Sequence, residues 1–138
     1  MGYFQRGFFR RKEPDPMKMT KGQAEAEISN ALIRFEKDFM GRGPQETRAF
    51  IIEDMVLVRL KGVLTPAEQQ LAKNTEGMNL IKKIRSNLLE QGRELLKEEI
   101  EKVTGFKVVS LHTDISTKTG ERIIIFIVNE NLENRFPG

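Results

Sequence analysis

Residues 105–128 read GFKVVSLHTDISTKTGERIIIFIV. Phe106–Ser116 and Arg122–Val128 are rich in apolar and β-branched residues, and Thr117-Lys118-Thr119-Gly120 interrupts them, so the stretch predicts a β-hairpin with a four-residue loop. In that register Val109, Leu111, Thr113 and Ile115 share one face with Ile124, Phe126 and Val128. The other face carries Val108, Ser110, His112 and Asp114 opposite Ile123, Ile125 and Ile127. Gly105 is placed to end a helix, with Phe106 as the apolar contact after it. Upstream, Thr75–Thr104 has helical periodicity. Ile81, Ile84, Leu88 and Leu95 form one stripe, Leu89, Leu96, Ile100 and Val103 lie beside it, and Lys82, Lys83, Arg85, Glu94, Lys97, Glu98, Glu101 and Lys102 point mostly outward. At ~1.5 Å rise per residue, about 28 residues span about 42 Å, so this helix is expected to cross the sheet or to protrude toward a partner. Gly92 inside it costs about 1 kcal/mol relative to alanine, and close packing against another element is its simplest rationale.

The N-terminal half repeats the theme. Thr20–Met40 predicts a helix with Ala24, Ile28, Ala31, Leu32, Phe35 and Phe39 on one stripe and Glu25, Glu27, Arg34, Glu36 and Lys37 elsewhere; Gly41-Arg42-Gly43-Pro44 stops it. Thr47–Ile52 and Met55–Leu60 predict a second hairpin turning at Glu53-Asp54, with Ile52 opposite Met55, Phe50 opposite Leu57 and Arg48 opposite Arg59. Its other face carries Ala49, Ile51, Val56, Val58 and Leu60. Both faces are largely apolar, so the pair is covered on both sides or keeps one side for a partner. Thr65-Pro66-Ala67-Glu68 is a capping box with proline at the first helical position, predicting a short helix Pro66–Lys73, after which Asn74-Thr75 caps the long one. The expected fold is therefore α+β: a four-stranded antiparallel sheet from two β-hairpins, one long helix and two shorter ones, in the order α-ββ-α-α-ββ.

At 138 residues the chain is one domain, residues 20–132, long enough to bury a core unaided. No apolar run approaches the roughly 18 residues of a spanning helix. There is no cysteine, which excludes disulfides and thiolate chemistry and fits a reducing cytosol. One histidine, His112, excludes a histidine-rich metal site within the chain. Residues 1–19 hold Arg6, Arg10, Arg11, Lys12 and Lys18 against Glu13 and Asp15, and so account for the whole net charge of +3. This basic-aromatic stretch, with Tyr3, Phe4, Phe8 and Phe9, is expected to be a disordered or non-native tail. No signal peptide is expected, and contact of the tail with an anionic membrane surface is the alternative. Residues 133–138 are expected to be a C-terminal tail.

The chain offers little chemistry. Ser110, His112 and Asp114 alternate along one strand, about 7 Å apart, which places them outside direct hydrogen-bond reach; a polar sheet face is expected. Glu98, Glu99 and Glu101 lie among lysines and read as a solvated face. No phosphate-loop, dinucleotide or EF-hand motif occurs, so no cofactor, metal or catalytic residue is expected. Arg48 and Arg59, facing each other across a hairpin, are the ligand-binding candidates: like charges there are unfavourable unless splayed or sharing a small anion such as carbonate, phosphate or a lipid headgroup. RNA binding over the sheet would need Phe50 or Phe126 exposed; both are flanked by aliphatics and expected in the core, so no nucleic-acid partner is expected.

Lys21-Gly22-Gln23, the run from Arg59 to Glu68, Glu101-Lys102-Val103-Thr104-Gly105, Asp114 and Gly120 together resemble the MpsC family, small bacterial proteins named after a sodium-translocating membrane-potential-generating system. The resemblance covers roughly residues 20–132. It implies association with a membrane system for cation-linked uptake, with dissolved inorganic carbon as a candidate cargo, and it carries over no catalytic residues. The expectation is a non-enzymatic, cytoplasmic accessory or regulatory protein, peripheral at the inner membrane face, that forms a homodimer over its second apolar sheet face. The alternatives are a small-anion-binding module or enzyme using Arg48 and Arg59, and a sheet-surface RNA-binding protein.

Overall fold

A computed structural model describes residues 19–136. The tail expected at the N-terminus lies outside the described residues, apart from Met19, which is buried in the core. The elements are α1 (Lys21–Met40), β1 (Glu46–Ile52), β2 (Met55–Lys61), α2 (Pro66–Leu71), α3 (Thr75–Gln91), α4 (Arg93–Thr104), β3 (Val108–Ser116) and β4 (Glu121–Val128). The strands form one antiparallel sheet in the order β1-β2-β4-β3. This is the expected α+β layout.

Local chemistry places the helices. Thr20 caps α1: its hydroxyl accepts from the Gln23 backbone N–H while the Gln23 side chain accepts from the Thr20 N–H. Gly41, at φ 89°, supplies the left-handed residue that ends α1. Thr65 and Glu68 make the reciprocal capping box that starts α2, and the Asn74 side chain accepts from Gly77 N–H to start α3.

The long helical segment is broken. Gly92 ends α3 and begins α4, and the rings of Phe35 and Phe39 on α1 lie against it. A Cβ at Gly92 would fall 2.3 Å from Phe35 Cε1 and 3.1 Å from Phe39 Cε2. Close packing is thus the reason for the glycine.

Helix α1 packs against β1 and α4 against β3, and the helices pack on one another. The core joins Ile28, Leu32 and Phe35 of α1, Ile81 and Leu89 of α3, and Leu96 and Ile100 of α4 to the inward residues Ile51, Val58, Leu60, Ile124 and Phe126 of the sheet. The stripe expected on the long helix is displaced. The buried positions of α3 are Gly77, Ile81, Arg85 and Leu89, while Ile84 and Leu95 are exposed.

The first hairpin has the expected register, including Arg48 opposite Arg59. Its turn lacks glycine and places Glu53 at φ 56°, a conformation costing roughly 1–2 kcal/mol for an L-residue. The end of β4 and the segment after it hold that turn: Val128 N–H donates to Asp54 O, Leu132 N–H donates to Glu53 O, and the Glu133 carboxylate accepts from Glu53 N–H. Leu132, at the end of the expected domain, is in the core, and so is Phe136, which lies in the stretch expected as a C-terminal tail. In the second hairpin the four-residue loop is as expected, but a β-bulge between Val108 and Ser110 shifts the register. Val108 turns inward and Val109, expected on the core face, is 61% exposed.

Candidate functional site

The two candidate arginines sit at one end of the sheet's outer face. The like-charge problem at Arg48 and Arg59 is solved by splaying. Arg48 lies over the Phe50 ring at 5.3 Å, while Arg59 donates to the Glu121 carboxylate, Nε to Oε2 at 2.7 Å. Both line a small pocket of about 70 Å³ that also holds Glu46 and Lys61. Phe50 is therefore half-buried on the outer face, not in the core as expected, whereas Phe126 is fully buried.

Arg59 also faces a larger cleft of about 910 Å³, bounded by the end of β2, the β3–β4 loop and α2. Its polar lining includes Arg59, Lys61, Lys118, Glu121, Gln45 and Gln69, three cations against one carboxylate. This cleft draws in Arg59 but not Arg48.

Behind the α2 wall of the cleft lies a group that sequence reasoning missed. Arg85, treated as outward, is 2% exposed. Its fork donates to both oxygens of Glu68, Nη2 to Oε1 at 2.6 Å and Nε to Oε2 at 2.9 Å, and Nη2 also reaches Val63 O at 2.8 Å. Glu36 of α1, expected off the apolar stripe of its helix, is 1% exposed, with its Oε1 3.7 Å from Arg85 Nη1 and neither oxygen hydrogen-bonded among the described residues. Arg122 points inward from β4, is equally buried, and donates to Thr113 Oγ1 at 2.9 Å.

Burial pushes the Glu36 carboxyl above its ordinary value, and the charges of Arg122 and Arg85 pull it partly back. Burial likewise lowers Arg122. Burial would raise Glu68 too, but the hydrogen bonds from Arg85 and from Thr65 outweigh it and hold Glu68 below the usual carboxylate range. The signal for these residues was phase. Arg85 lies four residues from both Ile81 and Leu89, Glu36 four from Leu32, and Arg122 has the parity of Ile124 and Phe126. Because α2 buries no residue of its own, the Arg85–Glu68 fork and the capping box are what hold this wall of the cleft in place.

The strand triad resolves differently from expectation. His112 Nε2 and Ser110 Oγ are 3.3 Å apart, so the first pair does meet, the side chains leaning along the strand. Asp114 does not complete it: its Oδ1 accepts from Ile115 N–H and lies 3.9 Å from Lys82 Nζ. Glu99 pairs with Arg34 and Lys102, and Glu101 accepts from Val108 N–H, while Glu98 is exposed to solvent. Among the described residues no helix is long and apolar enough to cross a membrane.

Fold and site define a class: a small α+β domain with a helical layer, an open sheet face and a basic cleft at one end. Residues 20–130 match the family described as Na+-translocating membrane potential-generating system (MpsC). The chain belongs to the MpsC family. It is 49% identical over 117 residues to "Uncharacterized protein YbcI" of Bacillus subtilis (strain 168), covering 85% of this chain and 94% of that protein. It is 24% identical over 110 residues to "Uncharacterized protein YrhF" of the same strain, covering 79% and 90%. No solved structure matches.

Proposed function

We propose that the protein is a non-enzymatic accessory or regulatory subunit that acts from the cytosolic side on a sodium-translocating, membrane-potential-generating system. The observation that carries this reading is the family match across residues 20–130, whose description names such a system. A domain with a basic cleft and a bare sheet face suits a subunit that docks and reports rather than one that conducts. The test is a pull-down of the tagged full chain from solubilised membranes of the native host, with sodium present. The expected result is recovery of the integral subunits of the system, and of less of them after deletion of residues 1–18, the basic arm. A chain found only in the soluble fraction, with no membrane protein attached, overturns the reading.

A second reading is favoured by the cleft. Lys61 and Lys118 line it with no ion pair of their own among the described residues, beside Arg59, whose charge Glu121 already balances. A small oxyanion such as bicarbonate or phosphate would meet two uncommitted ammonium groups there. Thermal-shift and calorimetric titration should show saturable binding of one of these anions that weakens about tenfold or more in Lys61→Ala/Lys118→Ala, at low salt. Equal response in the wild type and the double variant excludes the cleft as the site.

A further inference from the structure

The outer face of the sheet carries a continuous apolar strip with polar groups at its margins, and its residues are half-buried or exposed. Register lays it out in rows across the four strands β1, β2, β4 and β3. One row is Ile52, Met55, Ile127 and Ser110. The next is Phe50, Leu57, Ile125 and His112. The last is Arg48, Arg59, Ile123 and Asp114. Ile52 is 41% exposed, and the six other apolar members are half-buried. With strands ~4.8 Å apart and ~3.4 Å rise per residue, the rows cover roughly 400 Å² in projection. That is within the range of the largest patches a monomer leaves bare, and about half of the roughly 800 Å² per partner that a standard interface buries.

The charges on this face say what covers it. Arg48 and Asp114 stand at opposite edges of the same row. Among the described residues Arg48 has only the Phe50 ring beneath it, and the Asp114 side chain is 86% exposed, 3.9 Å from its nearest cation. A second copy laid face to face about a two-fold axis parallel to the strands, between β2 and β4, superposes each row on itself in reverse order. Arg48 of one copy then stands over Asp114 of the other, twice by symmetry; Phe50 stands over His112, Leu57 over Ile125 and Met55 over Ile127. A two-fold axis across the strands would instead set Arg48 over Ile52 and leave both charges facing apolar or neutral groups. Arg59 needs no partner in either case, because Glu121 neutralises it within the chain.

We infer that the protein is a homodimer formed by stacking the outer faces of two sheets about a strand-parallel two-fold axis, with reciprocal Arg48–Asp114 pairs closing the two edges. Sheets stack at ~10 Å, a gap that a long arginine and a short aspartate can close together.

Sedimentation equilibrium of the full chain tests this, with circular dichroism as the check on folding. The wild type should sediment at twice the 15.9 kDa chain mass. Leu57→Glu and Ile125→Glu should sediment as folded monomers. Arg48→Asp and Asp114→Arg, both at exposed positions, should each weaken the dimer roughly tenfold or more by facing like charges, and the double variant should restore it. A wild type that is monomeric overturns the inference, including the case in which deleting residues 1–18 is what permits dimerisation. A dimer indifferent to Leu57→Glu overturns it as well, by placing the contact elsewhere. A dimer broken by Leu57→Glu but not restored by the charge swap overturns the strand-parallel arrangement.

Discussion

Arg85→Leu is expected to lower unfolding free energy by about 3–5 kcal/mol, read from the urea midpoint, because removing one partner of a buried ion pair strands the other. Arg85 donates to Glu68 through a two-pronged contact and to Val63 O, and its charge faces Glu36 at 3.7 Å. Its loss leaves a carboxylate that is 1% exposed facing only Arg122. Arg85→Lys should recover only a minor part, since an ammonium cannot reproduce the planar fork. The pH profile should change in a definite sense. Glu68, held below 4.5 in the fold, contributes stability that is present above 4.5 and lost as pH falls through its folded value. Glu36, raised above 4.5, acts oppositely: its cost is fully present above its folded value and is relieved as pH falls through that value toward 4.5. Arg85→Leu removes the main hydrogen bond holding Glu68 down and one of the two charges holding Glu36 back. The variant should therefore lose the acid limb contributed by Glu68 and gain stability over a wider interval above 4.5 as pH falls. A variant with a wild-type midpoint and an unchanged profile would show the pair to be energetically idle.

Gly92→Leu should cost about 3 kcal/mol, and even Gly92→Ala should destabilise, although alanine is about 1 kcal/mol better than glycine in a helix. The sign is decided by space. The first added carbon would lie 2.3 Å and 2.7 Å from two atoms of the Phe35 ring, which is itself stacked on Phe39 at 4.5 Å between centroids and 97% buried by its surroundings. A double-mutant cycle isolates the cause. In a Phe35→Ala background the Gly92→Ala penalty should disappear and give way to the ordinary helical preference for alanine. If Gly92→Ala stabilises the otherwise wild-type chain, the contact between α1 and the α3–α4 junction is looser than the geometry requires.

Most of the architecture could be read from the residues because each hairpin carries its own alternation and each helix its own cap. The Arg48–Arg59 register followed from a two-residue turn, and the Thr65–Glu68 capping box from spacing alone. What escaped reading depended on pairing or on charge. A bulge at Val108–Ser110 inverts parity without leaving a mark in composition, so Val109 was placed inside. Arg85, Glu36 and Arg122 occupy core phases but belong to residue types that seldom enter a core unless they meet one another, and they come from three separate elements. The end of the long helix was assigned correctly at Gly105, yet the break at Gly92 required knowing that Phe35 and Phe39 press on it. The cleft was legible only through Arg59; its other cations, Lys61 and Lys118, are brought together by the turn of β2 toward the β3–β4 loop.

The clasp on the first hairpin ties distant parts of the chain to one point. Glu133 binds Lys21, at the first turn of α1, with one oxygen and Glu53 N–H with the other, while Leu132 takes Glu53 O. Start and finish of the fold are thus knotted at the β1–β2 turn, on the same strands that carry the bare face. A displacement of α1 at Lys21 or of the segment at Leu132–Glu133 is delivered to that turn, so the two segments form a single handle on the sheet.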